Sequence, residues 1–260
     1  MAACITLLSD FGLQDASVAI ARGVLMQHTD ATIVDISHDI KPFHTGQAAY
    51  LLSAAYSRFP VGTIHIILFD LFSQTLPQLV LCEHNGHYFL TPDNGILPLA
   101  LKTATIAAWQ CCEFTNDQTF ATWLSEAGKA ASQLQTRQPA ELGLPPVQLK
   151  LIADKSMPHP DAGTIYCEVI HIDHYENVVI NITRRQFFDW SGGRHFRLRF
   201  KDMEEINEVS DNYHDVREGF KLCRFNSNGY LEICINRGKA ASLFGLRLGG
   251  KNNNLKITFE

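Results

Sequence analysis

Two aspartates in this chain follow short apolar segments with the composition of buried strands. Asp10 ends the segment Ile5–Ser9, and Asp70 ends the segment Thr63–Phe69. The carboxyl ends of parallel strands share one edge of an α/β sheet, where ligands bind. An ionised carboxylate there offers acceptors to a ligand's donors. A lone aspartate after a strand is also typical of a turn or a local cap, so each residue alone leaves both interpretations open.

Five further stretches concentrate polar and aromatic side chains in segments that resemble turns. They are Asp35–Phe43, Pro92–Gly95, Ile172–Asn177, Tyr213–Asp215 and Asn226–Glu232. The residues of Asp93-Asn94-Gly95 form turns readily, so we interpret that stretch as structural. Taken alone, Asp173 and Ser227 are typical of loop caps, and His38 is typical of a hydrogen-bonded turn histidine. Glu232 lies within a predicted strand and is interpreted as structural.

Strand and helix signals alternate in the first half of the chain. Besides the two segments above, the patterns predict a buried strand over 32–36, a hairpin around Asn85-Gly86, and helices over 17–27, 45–56, 96–101 and 119–134. Strands separated by helices imply right-handed crossovers and a parallel sheet. We therefore predict an α/β domain with a mainly parallel sheet over residues 1–140, which brings Asp10 and Asp70 to the same sheet edge.

The second half changes to the alternating pattern of antiparallel strands. The period-2 segments are Thr164–Ile172, Val178–Ile182, Phe196–Phe200, Tyr230–Ile235 and Leu255–Phe259. Gly and Asn turns separate them, which predicts a small antiparallel β-barrel-like domain over 164–260. Pro139–Pro146 has the composition of an interdomain linker, and residues 141–163 are assigned to that role.

Composition excludes several classes of partner. The formal net charge of -5 argues against nucleic acid or an anionic membrane as a partner. No apolar run approaches the roughly 20 residues of a membrane span, and the N-terminus lacks the features of a signal peptide. The seven cysteines form no C-x-x-C pair and the 11 histidines are scattered. We expect a cytoplasmic protein with reduced cysteines and without a metal site.

The order and spacing of the five stretches, together with Ser9-Asp10-Phe11-Gly12, resemble a known family over nearly the whole chain. This is the family of S-adenosylmethionine (SAM) hydroxide adenosyltransferases, the adenosine-forming SAM hydrolases, which are related to fluorinases and chlorinases. The resemblance implies a homotrimer in which SAM lies between the N-terminal domain of one subunit and the C-terminal β domain of its neighbour. It implies SAM as substrate or ligand, and we expect no other cofactor.

The resemblance also assigns ligand contacts by position. The ribose would contact Asp10 and Phe43, the adenine end Tyr213 and Asn177, the methionine ammonium Asp173, and the methionine carboxylate Ser227. One ionised carboxylate suits two vicinal hydroxyls because both of its oxygens accept hydrogen bonds. An aromatic face suits stacking on adenine. Tyr175 stands where the family motif has phenylalanine.

The resemblance breaks at the residues that would handle the attacking water. In the hydrolases, an aspartate after the third strand works with an arginine seven residues on and a histidine after a Thr-Phe pair. The aspartate is kept here as Asp70, but the arginine position is Pro77. The histidine position, after Thr119-Phe120, is Ala121. Two members of the trio are therefore absent.

The turn after Asp70 also departs from the family's Asp-Pro-Gly-Val-Gly. Leu71 and Phe72 make it bulkier and more apolar, which disfavours a halide-using relative that needs a small polar pocket. Ser73 and Thr122 remain as candidate water ligands. We expect a SAM-binding protein that hydrolyses SAM weakly to adenosine and methionine. The alternative is a SAM- or adenosine-binding protein without catalytic activity.

Overall fold

The computed structural model describes residues 4–72, 78–112, 114, 119–152, 158–161, 163–201, 204–250 and 253–260. Ser73 and Pro77 lie outside these ranges. The chain divides into two compact units, Met1–Ala153 and Asp154–Glu260. The division falls within the segment 141–163 that was assigned to a linker. Within the described ranges, no helix is long and apolar enough to cross a membrane.

The first unit is built around one six-stranded sheet. Its elements are β1 (Cys4–Ser9), α1 (Ser17–Met26), β2 (Thr32–Ser37), α2 (Thr45–Ala55), β3 (Ile64–Leu68), β4 (Leu79–His84), β5 (His87–Thr91), α3 (Ile96–Leu101), β6 (Ala107–Cys112) and α4 (Phe120–Leu134). The strand order is β2-β1-β3-β5-β4-β6. Strand β4 runs antiparallel to both its neighbours, and the pairs among β2, β1, β3 and β5 are parallel. The predicted mainly parallel sheet is confirmed.

Side chains of the central strands alternate between two apolar cores. In β1, Ile5 and Leu7 pack with helices α1 and α4, whereas Leu8 packs with helices α2 and α3. Strand β2 was predicted to be buried, but its residues are only partly so. The reason is topological, since β2 is an edge strand that pairs, among the described residues, with β1 alone.

The register of β1 and β3 fixes where the two aspartates emerge. Ser9 lies opposite Leu68, so the chain leaves both strands at the same sheet edge. Asp70 then adopts a left-handed conformation with φ of 48°, which turns the chain as it leaves β3. The expectation that Asp10 and Asp70 share one edge is confirmed.

The proline-rich segment after α4 pairs with β6. A 3-10 helix spans Pro139–Leu142, and Gln110 N donates to Pro145 O at 2.9 Å. Val147 N donates to Ala108 O at 3.0 Å. These bonds place residues with linker composition inside the first unit. The sequence Ala107–Cys112 does not alternate clearly between apolar and polar residues, so β6 itself was not predicted.

The second unit consists of two antiparallel sheets. Its elements are β7 (His159–Asp161), β8 (Thr164–Tyr166), β9 (Val169–Ile172), β10 (Val178–Thr183), α5 (Arg184–Ser191), β11 (Phe196–Phe200), β12 (Glu204–Ile206), β13 (Lys221–Phe225), β14 (Tyr230–Ile235), α6 (Ala240–Phe244) and β15 (Lys256–Phe259). The strand orders are β13-β14-β10-β9 and β12-β11-β15-β8-β7. Both sheets contribute to one apolar core. Closure into a barrel is not detected among these strands.

One predicted strand is divided between the two sheets. The segment Thr164–Ile172 forms β8 in one sheet and β9 in the other. Between them, Cys167 N donates to Leu255 O at 2.9 Å and Asn181 N donates to Glu168 O at 3.0 Å. A continuous period-2 pattern marks strand-like residues, but it does not show where a strand changes sheets.

Candidate functional site

The Asp10 carboxylate sits beside Asp70 at the carboxyl edge of the first sheet. It accepts hydrogen bonds from its own backbone N–H and from that of Asp70. Burial raises the pKa of Asp10, those two bonds lower it, and the Asp70 carboxylate raises it again; the net shift is upward. The structure therefore brings these two predicted site residues together, with one of them fixed by the backbone of the other.

Phe43 is an exposed aromatic residue in an unfavourable backbone conformation. Its side chain is 82% exposed and its φ is 64°. The surrounding turn is held by His44 N, which donates to Lys41 O at 3.0 Å, and by Lys41 N, which donates to Gln47 Oε1 at 2.9 Å. A left-handed conformation costs a residue with a Cβ about 1–2 kcal/mol. A ring kept exposed at that cost is a candidate ligand contact.

The first turn of α4 adjoins the same sheet edge. The Phe120 and Phe11 rings meet edge to face with centroids 5.2 Å apart, which packs the start of α4 against the turn after β1. Ala121, the next residue of the helix, is exposed. Thr119 caps the helix, and its Oγ1 accepts from Thr122 N at 3.3 Å. The Thr122 hydroxyl lies 3.1 Å from the same oxygen, so this candidate water ligand is engaged in the cap.

The two apolar residues after Asp70 differ in exposure. Leu71 is buried in the core of the first unit, so it does not add the bulk to the turn that its sequence predicted, whereas Phe72 projects into solvent. Asn94 Nδ2 donates to Phe69 O at 2.9 Å, and Asn94 Oδ1 accepts from Ile96 N at 3.2 Å. The structural interpretation of Asp93-Asn94-Gly95 is confirmed, because Asn94 ties the end of β3 to the start of α3.

In the second unit, Asp173 and Asn177 hold the turn between β9 and β10. Asp173 Oδ1 accepts from Asn177 N at 2.8 Å, and Oδ2 accepts from Asn177 Nδ2 at 2.9 Å. Glu176 fixes the turn to α6, since its Oε2 accepts from Ser242 N at 2.9 Å. Asp173 is thus a turn cap whose oxygens retain lone pairs for a ligand. Tyr175, on the same turn, is largely exposed.

Tyr213 belongs to a polar cluster that the sequence did not predict. Its hydroxyl donates to Glu232 Oε1 at 2.9 Å, and Arg224 Nη1 donates to the same oxygen at 3.2 Å. The Arg224 guanidinium carbon lies 4.5 Å from the centre of the Tyr213 ring and covers one face of it. The other face remains the candidate stacking surface. Burial, followed by the charge of Glu232, raises the pKa of Tyr213 to about 12, so the hydroxyl stays a donor.

Glu232, interpreted from the sequence as structural, accepts both of these hydrogen bonds. It is only 3% exposed, between Leu231 and Ile233 in β14. The available signal was a charged residue inside an apolar strand, because a buried carboxylate requires partners. Asp173 lies close to this cluster: after burial and Glu232, its charge also raises the pKa of the Cys234 thiol.

Ser227 is not brought next to Asp173. It lies in the turn before β14, at the end of the ladder where Tyr230 pairs with Thr183. The Asp173 turn lies at the opposite end, where Ile233 pairs with Val178. The three residue steps from Tyr230 to Ile233 alone span about 10 Å.

Comparison with known proteins identifies relatives for both units. Residues 5–137 match the family model described as SAM hydroxide adenosyltransferase N-terminal domain, and residues 167–252 match its C-terminal domain. A protein from Methanocaldococcus jannaschii named (R)-S-adenosyl-L-methionine hydrolase is 25% identical, with 93% of this chain and 92% of that protein aligned. A protein of the same name from Thermus thermophilus is 26% identical, with 93% and 95% aligned.

Solved structures share the fold. A conserved protein from Thermotoga maritima, described as uncharacterized, superposes with a TM-score of 0.81 at 23% identity, covering 98% of this chain and all of its own. A conserved hypothetical protein from Thermus thermophilus gives a TM-score of 0.71 at 23% identity, with both chains fully covered.

Proposed function

Because the chain belongs to the SAM hydroxide adenosyltransferase family, we propose that it binds SAM and adenosine and hydrolyses SAM slowly to adenosine and methionine. The observation that carries this proposal is the Asp10 carboxylate at the end of β1. It is partly buried and held by the backbone N–H of Asp70. Its remaining lone pairs suit the two hydroxyls of a ribose.

The remaining ligand contacts are proposed on chemical grounds. Phe43 offers an exposed ring beside the sugar, and the partly exposed ring of Tyr213 suits adenine. Asn177 keeps the adenine contact that the family resemblance implies, with its amide also donating to Asp173. Asp173 suits the methionine ammonium, and Tyr175 flanks it. The ammonium and carboxylate of methionine share one carbon, so Asp173 and Ser227 of one unit cannot both hold them. We keep Asp173 as the stronger assignment.

We propose that the complete site is assembled in a homotrimer. This proposal is motivated by the division of the candidate contacts between the two units. Asp10 and Phe43 belong to the first unit, and Asp173 and Tyr213 belong to the second. Sedimentation should show a trimer whose dissociation abolishes nucleoside binding. A stable monomer that binds adenosine with full affinity would contradict this arrangement.

The proposed reaction needs little acid catalysis. Attack of water on the ribose C5′ forms a C–O bond and expels a neutral thioether from a sulfonium, so the leaving group requires no proton and the water releases one proton to solvent. The barrier falls mainly by holding a desolvated water in line behind C5′. Asp70 is the remaining family residue for that task. Loss of groups that position or deprotonate a water typically costs about 100- to 10,000-fold in rate.

A second candidate function is ligand binding without turnover. It is supported by Ala121, which presents no polar group beside the sheet edge, and by the engagement of the Thr122 hydroxyl with Thr119. A halide-using relative remains disfavoured, because the exposed Phe72 gives the turn after Asp70 an apolar outer face. Incubation with chloride or fluoride should yield no halogenated nucleoside.

The test is calorimetric titration of adenosine and SAM into the unaltered protein and an Asp10→Asn variant. Hydrogen bonds to a charged group contribute about 1.5–3 kcal/mol, so the variant should bind more weakly by that amount. Asp30→Asn, a charge-matched change at an exposed position of the same unit, should bind normally. Equal dissociation constants for the Asp10 variant and the unaltered protein would rule out the ribose contact.

A further inference from the structure

We propose that His38 is a positioning residue that fixes the turn carrying Asp10, so that the carboxylate is ordered before the ribose arrives. The inference rests on the proposed function, since it requires Asp10 to contact a ribose. It assigns a task to a histidine that the sequence indicated only as a turn residue. His38 itself touches no ligand in this account and acts through Ser9 and the backbone.

His38 contacts the Asp10 turn from both sides. The Ser9 side chain is fully buried, and its Oγ lies 2.6 Å from His38 Nδ1. On the other side of Asp10, Gly12 N donates to His38 O at 2.8 Å. Between them, Phe11 N approaches Ser9 Oγ at 3.4 Å. One residue after β2 therefore holds the residue before Asp10 and the residue two places after it.

His38 is held in turn by a charged pair. Its side chain is 3% exposed, and Nε2 lies 3.2 Å from Asp35 Oδ1. The two atoms are within ion-pair distance, but Nε2 makes no directed hydrogen bond to any described residue. Arg22 of α1 binds both oxygens of Asp35, with Nε donating to Oδ1 at 3.2 Å. The chain of contacts thus runs from α1 through β2 to the end of β1.

The charge on Asp35 selects the tautomer of His38. A nearby carboxylate favours the proton on Nε2, which leaves Nδ1 as the acceptor for the Ser9 hydroxyl. Burial, and then the positive charge of Arg22, lower the pKa of His38, which keeps the ring neutral near pH 7. In the neutral ring with the proton on Nε2, Nδ1 accepts the hydrogen bond from the Ser9 hydroxyl across the short contact.

Preordering matters because Asp10 follows a strand end and leads into a loop. A carboxylate that must be ordered during binding loses part of its interaction free energy to that ordering. With Ser9 and Gly12 both bound to His38, the main chain on either side of Asp10 is fixed, which directs the carboxylate to the N–H of Asp70. Removing the imidazole should therefore weaken recognition of the ribose hydroxyls specifically.

The experiment measures ribose discrimination, which is the ratio of dissociation constants for 2′,3′-dideoxyadenosine and adenosine. In the unaltered protein the ratio should be about 10 or more, from hydrogen bonds to a charged acceptor. His38→Ala should lower it several-fold by weakening adenosine alone. His38→Asn should retain most of it, because the amide oxygen can replace Nδ1. Ser9→Ala provides a smaller change that should lower the ratio as His38→Ala does.

A matched control separates this role from general support of the fold. His28 is another histidine of the first unit with a serine partner, its Nε2 lying 3.0 Å from Ser125 Oγ. His28→Ala should leave the discrimination ratio unchanged. If the ratio were unchanged in both His38→Ala and Ser9→Ala, the inference would be overturned. Adenosine binding by the unaltered protein would still support the proposed function in that case. Absence of adenosine binding by the unaltered protein would overturn both.

Discussion

The two units hold their candidate contacts in different ways. In the first unit, Asp10 is fixed by backbone N–H groups and by the turn that His38 binds, while Ala121 stands exposed at the start of α4. In the second unit, Tyr213 and Arg224 converge on the buried carboxylate of Glu232. The first arrangement depends on strand ends, and the second on a network of side chains.

This difference offers a physical reason why the proposed ligand contacts are present while two members of the trio that would hold the water are absent. Position 121 lies on an exposed helix turn, so exchanging its side chain leaves the core intact. Removing Glu232 would instead leave the partly buried Arg224 guanidinium and the Tyr213 hydroxyl without the carboxylate that they share. Under the proposed function, binding and water activation rest on different residues, so one can persist without the other.

Restoring the two missing groups of the trio should have the largest effect, on the rate of SAM hydrolysis. Pro77→Arg combined with Ala121→His should raise the single-turnover rate of SAM hydrolysis by about 100-fold or more. Each change alone should give less, because groups that act as a unit are non-additive. Ala121→Gln, which adds a polar group without an imidazole, is the control. A double variant that binds SAM yet reacts no faster than this control would contradict the assignment.

The next effect concerns the stability of the second unit. Glu232→Ala should lower the free energy of unfolding by about 3–5 kcal/mol, because it leaves Arg224 partly buried without its carboxylate. Glu205→Ala removes two solvent-accessible ion pairs, with Arg199 Nε at 2.9 Å and Arg197 Nη1 at 3.9 Å, and should cost about 0–1 kcal/mol. Urea unfolding of both variants tests this, and equal losses would show that Glu232 is not a structural centre.

Acid should act on the first unit through a buried histidine pair. His65 Nε2 lies 3.1 Å from His87 Nδ1, and burial, followed by His87, lowers the pKa of His65 to about 3. The unfolded chain takes up this proton near pH 6.5 and the folded chain does not. The contribution of His65 to the free energy of unfolding is therefore fully present above pH 6.5. It declines as the pH falls from there towards pH 3, by up to about 1.4 kcal/mol per pH unit.

Urea unfolding at several pH values, followed by hydrogen exchange, measures this decline. His65→Gln should flatten it, and β1 and β3 should lose protection relative to β14. A pH dependence that is the same in His65→Gln and in the unaltered protein would assign the acid sensitivity to other groups.

The smallest expected effect is on SAM affinity, and it tests whether Asp173 or Ser227 contacts the methionine part of SAM. Ser227→Ala should weaken SAM binding by no more than about 1 kcal/mol, since Ser227 lies at the far end of β14 from Asp173. Asp173→Asn should weaken it more, through loss of a charged partner for the ammonium. Calorimetry that ranks the two variants in the opposite order would move the methionine site to the Ser227 turn.

The sequence predicted features that depend on local pattern. The apolar segments before Asp10 and Asp70 indicated neighbouring parallel strands, and the register of β1 and β3 brings both residues to one edge. The side-chain cluster of Tyr213, Arg224 and Glu232 could not be predicted in this way. Its members lie on separate elements. Their contact depends on the pairing of β13 with β14, which places Arg224 opposite Glu232, and on the loop that brings Tyr213 to Glu232.

Topology accounts for the other differences. The partial exposure of β2 follows from its place at the sheet edge, which the apolar sequence 32–36 does not specify. The pairing of residues 145–147 with β6 likewise depends on long-range contacts, whereas their composition indicates only a loop. The 2.6 Å contact between Ser9 and His38 joins two strand ends that are 29 residues apart in the sequence, and neither motif alone predicts this contact.

We propose that ligand binding persists in this protein while water activation is weakened. The most direct test is chromatographic measurement of adenosine formed from SAM by the unaltered protein, beside the Methanocaldococcus jannaschii relative under the same conditions. We expect hydrolysis to be slow or absent while adenosine and SAM still bind measurably by calorimetry. Adenosine formation as fast as that of the relative would contradict the account and indicate a water site built around Asp70 without the other two groups.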